Sequence, residues 1–396
     1  MTLRQFTETD VRGKRVFVRV DFNVPMKDGK VSDSTRIAAH EDTVTKLLGW
    51  GAKVVLASHL GRPKGKRVPE MSLKCALSEA ERIFKVRMNF CDDCIGPSVQ
   101  AAVEAMKEGE LLLLENLRFY EEEQKNDPEF ARMLAKPFDV FVMDAFSASH
   151  RADASTSAIM EVLPSFAGSL LLKEVDMLSA VSENPSRPFV LILGGAKVSD
   201  KIGVVEHLME KTTSILIGGG MAFTFLKANG ASIGRSLFEE EKKAFALEMM
   251  ERARRNGVEI LLPVDVVAGT SLDMTSGETI VPADAVPDDA MGLDIGPKTA
   301  ALFAERIANA KTVLWNGPMG VFENPLFAAG TRGVADGVAE CTRRGGLTVV
   351  GGGDTAAAAK ALGFDKSVSH VSTGGGASLE FCEGKALPGI VPLYKE

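Results

Sequence analysis

Cysteine is scarce in this chain of 396 residues: Cys75, Cys91, Cys94, Cys341 and Cys382, odd in number and scattered. That usage excludes a disulfide scaffold and fits reduced thiols in a cytoplasmic protein. The stretch CDDC at Cys91–Cys94 has the spacing of a zinc or redox pair. No second pair or spaced histidine pair accompanies it, so two thiols beside a turn is the favoured reading. Long apolar runs are also missing; none approaches the roughly 18 residues of a membrane-spanning helix. The N-terminus, MTLRQFTETD, lacks the apolar segment of a signal peptide. Positive charge is short as well, with 46 Lys and Arg against 53 Asp and Glu, a net charge of −7. The expectation is no nucleic-acid and no membrane partner, so anionic ligands must be met by local basic clusters.

Two phosphate-binding fingerprints are incomplete. GGGDTA (Gly351–Ala356) fits a dinucleotide-binding turn, but no Asp or Glu ends the next strand, VSHVST, to hold a ribose. GLDIGPKT (Gly292–Thr299) has the wrong spacing for a Walker A loop, with Pro297 between Gly and Lys. A dehydrogenase with two α/β lobes therefore lacks its ribose acid.

What the sequence has in quantity is alternation. A chain this long exceeds one hydrophobic core, which predicts two domains. Short, nearly continuous apolar runs alternate with helical patterns throughout, as in buried parallel sheets. Strands are expected at Arg15–Val24, Ala52–His59, Glu110–Leu117 and Asp139–Phe146. A second set is expected at Phe189–Gly195, Ser214–Gly219, Val258–Asp265, Thr312–Gly317, Leu347–Gly352 and His370–Gly375. Helices are expected at Asp33–Gly49, Gly168–Val181 and Glu239–Asn256. The prolines of SENPSRP (Ser182–Pro188) break the middle one. The fold class is α/β: two Rossmann-like lobes, each a parallel sheet flanked by helices, residues 1–168 and 186–377, joined by a helical hinge at 169–185.

Ligands of open parallel sheets bind beyond the carboxyl ends of the strands. In the first half those positions are basic: Arg19 with Asp21 and Asn23, then His59 and Arg62, Arg118, His150 and Arg151, with Arg36 opening the next helix. Arginine grips phosphate and carboxylate bidentately, so this half reads as a site for a small polyanion. The second half offers exposed amides instead, in GGAKVSDK (Gly194–Lys201), Gly218–Gly220, NGPMG (Asn316–Gly320), GGGDT (Gly351–Thr355) and Gly374–Gly376. Bare N–H groups at a helix N-terminus bind phosphate oxygens. Lys197 and Lys201, spaced i,i+4, are expected on one helical face with an anion between them. Asp354 reads as a Mg²⁺ ligand or as a helix N-cap. No His–Asp pair is aimed at an acceptor hydroxyl, but an ionised acceptor carboxylate needs no base. The layout is that of a two-substrate phosphotransferase.

The strings RVDFNVP, SHLGRP, ENLRF, GGAKVSDKI, LWNGPMGVFE, GGGDT and STGGGASLEF…GKALPG resemble the phosphoglycerate kinase family, in order and over nearly the whole chain. The resemblance implies reversible phosphoryl transfer between ATP·Mg²⁺ and 3-phosphoglycerate, giving ADP and 1,3-bisphosphoglycerate, in a hinge-closing cytoplasmic monomer. It implies that Asp21, Phe22, Asn23, His59, Leu60, Gly61, Arg62, Arg118 and Arg151 hold 3-phosphoglycerate, with Arg36 against the reacting carboxylate. Lys197, Lys201 and Gly374, Gly375 and Gly376 would meet the moving phosphoryl group. Gly292, Asn316, Glu323, Val350, Gly351, Gly352, Gly353 and Thr355 would line the nucleotide site, with Asp354 on Mg²⁺. It also implies that about 378–396 folds back onto the first lobe. Ser147 stands where the family usually has glycine, so a positive φ there is expected to strain the loop before Arg151. A non-catalytic nucleotide-binding regulator is the remaining alternative. Retention of Arg36, Lys197, Lys201 and Asp354 together speaks against it.

Overall fold

The computed structural model describes residues 2–395; the first and last residues of the expected outer segments lie outside them. Two compact units emerge, Met1–Val175 with Ala386–Glu396, and Asp176–Lys385. The division falls inside the helix α1 (Ser169–Ser182). The second crossing comes later than residue 378, because the helix that follows Gly374 packs within the second unit against Ile202–Leu208. Beyond it, Gly389 N–H donates to the Ser149 carbonyl at 2.8 Å and Arg4 N–H to Leu393 at 2.8 Å. These bonds tie the returning segment to the first unit.

The first unit is built on six parallel strands: β1 (Arg15–Arg19), β2 (Lys53–Ala57), β3 (Met88–Phe90), β4 (Leu111–Leu113), β5 (Val140–Met143) and β6 (Ser165–Ala167). Their order is β3-β4-β2-β1-β5-β6. Val16, Val18, Val54, Leu56, Leu111 and Leu113 fill one core, while Phe17, Val55, Leu112 and Phe141 on the alternate positions are buried too. Burial on both faces is why these strands read as unbroken apolar runs. The edge strands β3 and β6, three residues each, carry too short a pattern to be read from sequence.

The second unit repeats the plan with β7 (Phe189–Leu193), β8 (Ser214–Ile217) and β9 (Glu259–Leu261), and later β13 (Thr312–Asn316), β14 (Leu347–Gly351) and β15 (His370–Val371). The order is β9-β8-β7-β13-β14-β15, all parallel. Between them the chain adds an antiparallel sheet that the sequence did not announce: β10 (Asp265–Gly269) flanked by β11 (Thr279–Pro282) and β12 (Met291–Ile295). Trp315, fully buried, stacks on Phe364 at 5.1 Å and donates its indole N–H to the Gly317 carbonyl at 2.8 Å. That bond fixes the turn leaving β13. Parallel pairing brings all the carboxyl ends in each sheet to one edge, which is where the chemistry-bearing residues collect.

Candidate functional site

In the first unit, Asp21 follows β1 and sits at the centre of a buried polar network. Its backbone N–H donates to His40 Nε2 at 2.8 Å, and His40 Nδ1 faces Asp144 Oδ2 at 2.6 Å. The Asp21 carboxylate accepts from Asn23 N–H at 2.9 Å, from Arg36 Nη1 at 3.1 Å and from the Ser147 hydroxyl. Burial alone would raise its pKa; Arg36, then His59 and Ser147, bring it down to about 2. Arg36 also donates to the Asn23 carbonyl at 2.9 Å, so its guanidinium is oriented while remaining partly exposed. Ser147 lies in a short 3-10 turn and is not among the positive-φ residues. The expected strain is absent because the turn keeps Ser147 out of the left-handed region, and its hydroxyl is free to bond Asp21.

The loop after β2 is held as tightly. Asn116 receives Leu60 N–H at 3.2 Å and donates to the Leu60 carbonyl at 2.8 Å. Gly61, at φ +64°, gives its N–H to Asn23 Oδ1 at 2.9 Å and accepts Arg118 Nη1 at 3.0 Å. A Cβ there would press on Met71 Sδ at 2.9 Å, on top of the unfavourable backbone conformation. Phe22 is buried, its N–H on Ser58 Oγ at 2.8 Å. Arg62 is exposed on the same loop.

Three buried nitrogens in this unit have no hydrogen-bond partner among the described residues: His59 Nε2, Arg118 Nε and Arg151 Nη1. Leaving such donors unpaired costs about 1–3 kcal/mol each, more when charged. The cations also disfavour one another. Burial, then Arg151, pulls the Arg118 pKa down to about 10. Burial and Arg19 hold His59 well below the usual histidine range. Two crowded guanidiniums and a neutral imidazole, each with an unsatisfied nitrogen, are what a polyvalent anion would relieve.

The second unit uses its backbone. Helix α2 (Gly353–Leu362) follows β14, and helix α3 (Gly375–Cys382) follows β15. A Cβ on Gly375 would lie 3.1 Å from Gly353 N, so the two N-termini adjoin. Their first-turn amides have no intrahelical acceptor and their dipoles add at one place. Gly352, at φ +88°, caps α2 and abuts the Asn316 side chain. Asn316 in turn accepts Lys201 Nζ at 2.5 Å. Burial depresses the Lys201 pKa, against the opposing pull of Asp200, Asp354 and Glu383. Asp354 is the second residue of α2, exposed, and does not cap the helix; the N-cap reading fails because Gly352 occupies that position.

Two further expectations are corrected. Lys197 and Lys201 do not share a helical face: Lys197 is exposed in the loop after Gly195 (φ +89°), and the helical turn starts at Ser199. Nor do the glycines at Gly218–Gly220 offer bare amides throughout. Gly218 N–H donates to Leu193 at 2.8 Å and Gly219 N–H to Met319 at 3.0 Å. These glycines permit close packing: a Cβ on Gly219 would meet Gly195 N at 2.6 Å, and one on Gly194 or Gly317 would strike the other loop's carbonyl. Val350 and Gly351 end β14, and Thr355 is buried, accepting Gly317 N–H at 2.6 Å. Gly292 lies on β12 against Phe223 and donates to Ser236 Oγ at 2.9 Å. Glu323 is exposed beside a hollow of about 500 Å³ formed with Leu272, Met274, Val321 and Pro325.

A family model described as phosphoglycerate kinase matches residues 6–385. The chain belongs to the phosphoglycerate kinase family. It is 52% identical over 394 residues to the phosphoglycerate kinase of Chloroherpeton thalassium, covering 99% of each chain. It is 52% identical over 389 residues to that of Moorella thermoacetica, covering 98% of each. Among solved structures, phosphoglycerate kinase from Coxiella burnetii superposes with a TM-score of 0.88 at 41% identity, covering 97% of both chains. That from Pyrococcus horikoshii does so at 0.85 and 30%, covering 99% of this chain and 98% of the other. Several residues that build the buried polar networks of the first unit were not singled out from sequence: His40, Asn116, Glu123, Asp144 and Ser155. Glu123 lies in the run EEEQ, which reads as a solvated helix start, and only burial distinguishes it.

Proposed function

We propose that the two units divide the family's reaction between them, the reversible transfer of a phosphoryl group between ATP and the carboxylate of 3-phosphoglycerate, a step of glycolysis. Two observations support this reading: the unsatisfied buried donors of His59, Arg118 and Arg151 in one unit, and the adjoining helix N-termini in the other. His59, Arg118 and Arg151, with Arg62 and Asn23, hold 3-phosphoglycerate. Arg36, already turned by Asp21, meets the reacting carboxylate. That carboxylate is ionised at neutral pH and attacks without a general base. Amides of Gly375 and Gly376, with Lys201, take up the charge on the equatorial oxygens during transfer. Lys197 supplies an exposed cation from its loop. Asn316, the Gly351–Thr355 turn, Gly292 and Glu323 receive the nucleotide.

Magnesium enters as part of the nucleotide substrate. Among the described residues no group of three or more His, Cys, Asp or Glu side chains could cage a metal. The single exposed Asp354 suits an ion that brings phosphate oxygens as its other ligands, and such an ion would offset the phosphate charge. Cytoplasmic location and a monomeric state belong to the same proposal. Among the described residues no helix is long and apolar enough to cross a membrane.

The test is a coupled assay of the full chain with ATP, Mg²⁺ and 3-phosphoglycerate. Turnover that needs all three is expected. No turnover beside an active control enzyme would remove the reading.

A further inference from the structure

Glu123 is fully buried and takes no part in the transfer described above. Its Oε1 accepts the Ser155 hydroxyl at 2.5 Å and its Oε2 accepts Ser155 N–H at 3.0 Å. Having given its one proton to Glu123, the Ser155 oxygen can only accept, and it accepts Arg19 Nε at 2.8 Å. Arg19, also fully buried, donates Nη1 to the Val20 carbonyl at 2.5 Å. The guanidinium is thus pinned on two sides, and its Nη2 is left facing His59 Nδ1 at 3.0 Å.

A guanidinium has donors and no acceptor. His59 Nδ1 must therefore carry the lone pair, and the ring proton sits on Nε2. That Nε2 is buried and has no hydrogen-bond partner among the described residues. We propose that Glu123 is a positioning residue, which acts through Ser155 and Arg19 to fix His59 as an Nε2–H donor toward the bound anion. Glu123 is also the first source of compensation for the buried Arg19 cation, ahead of Asp153 and Asp21. Without it the guanidinium loses both its anchor and its nearest counter-charge. Only the last link, the anion, rests on the reading of this cluster as the 3-phosphoglycerate site; the tautomer belongs to the free chain.

The test is ¹⁵N spectroscopy of the full chain labelled at histidine, with the His59 signals identified by their loss in His59→Gln. The wild type is expected to show the Nε2–H tautomer. In Ser155→Ala and Glu123→Gln the signals should move to a tautomer mixture. The dissociation constant for 3-phosphoglycerate should rise about tenfold, the scale of one charge-assisted hydrogen bond, while that for ATP stays within twofold. Ser155→Thr, which keeps the hydroxyl, should restore both. Variants that unfold more easily yet keep the Nε2–H signal would show a purely structural network and overturn the proposal. A shifted tautomer with unchanged 3-phosphoglycerate affinity would overturn it as well. Failure of the wild type to bind 3-phosphoglycerate would instead sink the proposed function, and the tautomer measurement would still judge the relay.

Discussion

At the scale of single residues, the account turns on which polar atoms the fold satisfies and which it leaves for a ligand. Arg36 is oriented by Asp21 and the Asn23 carbonyl but keeps donors in solvent. Arg36→Ala is expected to lower kcat by tenfold to hundredfold, since a hydrogen bond to a charged group contributes about 1.5–3 kcal/mol. ATP affinity should stay within twofold, because no nucleotide contact is assigned to this unit. Steady-state kinetics with calorimetry checks both; equal loss of ATP binding would show the two sites to be misassigned. Residue identity was legible where chemistry is rare. Four arginines at strand ends of an acidic chain, and Arg36 opening a helix, stood out, and so did Asp21 and Asn23. Roles were illegible where burial decides them. Glu123 looks like any acid in a charged run, and Ser147 was expected to be strained when its hydroxyl in fact bonds Asp21.

Elements carry the next set of consequences. The N-terminus of the helix Ala329–Arg343 receives the carboxylate of Asp294, which accepts Gly330 N–H at 2.6 Å and Ile295 N–H at 2.9 Å. Burial raises its pKa to about 7 from an ordinary value of 3.8. The folded state therefore binds this proton more tightly than the unfolded chain, and its contribution to stability falls as pH rises from about 4 to 7. The fall amounts to at most about 4 kcal/mol. Denaturant unfolding of Asp294→Asn should lose that slope, so the variant gains on the wild type between pH 5 and 8; parallel curves would contradict it. Gly375→Ala makes the complementary point. Alanine favours a helix by up to about 1 kcal/mol over glycine, so thermal stability should hold or rise. The added methyl would still sit 3.1 Å from Gly353 N, in the gap between two helix N-termini. We expect kcat to drop at least tenfold, read by the same coupled assay; unchanged kcat would take those amides out of the transfer. The glycine runs also show the limit of reading elements from sequence. Three look alike, yet Gly218 and Gly219 spend their amides on neighbouring loops, while Gly375 opens a helix. Spacing failed similarly for Lys197 and Lys201, because a helical interval means nothing across a loop that starts at a left-handed glycine.

For the whole molecule, alternation of strand and helix gave away two parallel sheets, since burial on both faces leaves an unmistakable apolar run. The antiparallel sheet of β10, β11 and β12 escaped notice. Its strand β11 is largely exposed and carries no such run. The central claim is that one unit recognises a small polyanion by cationic side chains and the other recognises nucleotide phosphates by amides and Lys201. Calorimetric titration of 3-phosphoglycerate and of ATP·Mg²⁺ into the wild type, Arg118→Ala and Lys201→Ala tests it most directly. The account predicts a crossover: Arg118→Ala weakens 3-phosphoglycerate at least tenfold and leaves ATP within twofold, and Lys201→Ala does the reverse. Both ligands weakened equally by either change, or neither weakened by both, would contradict it.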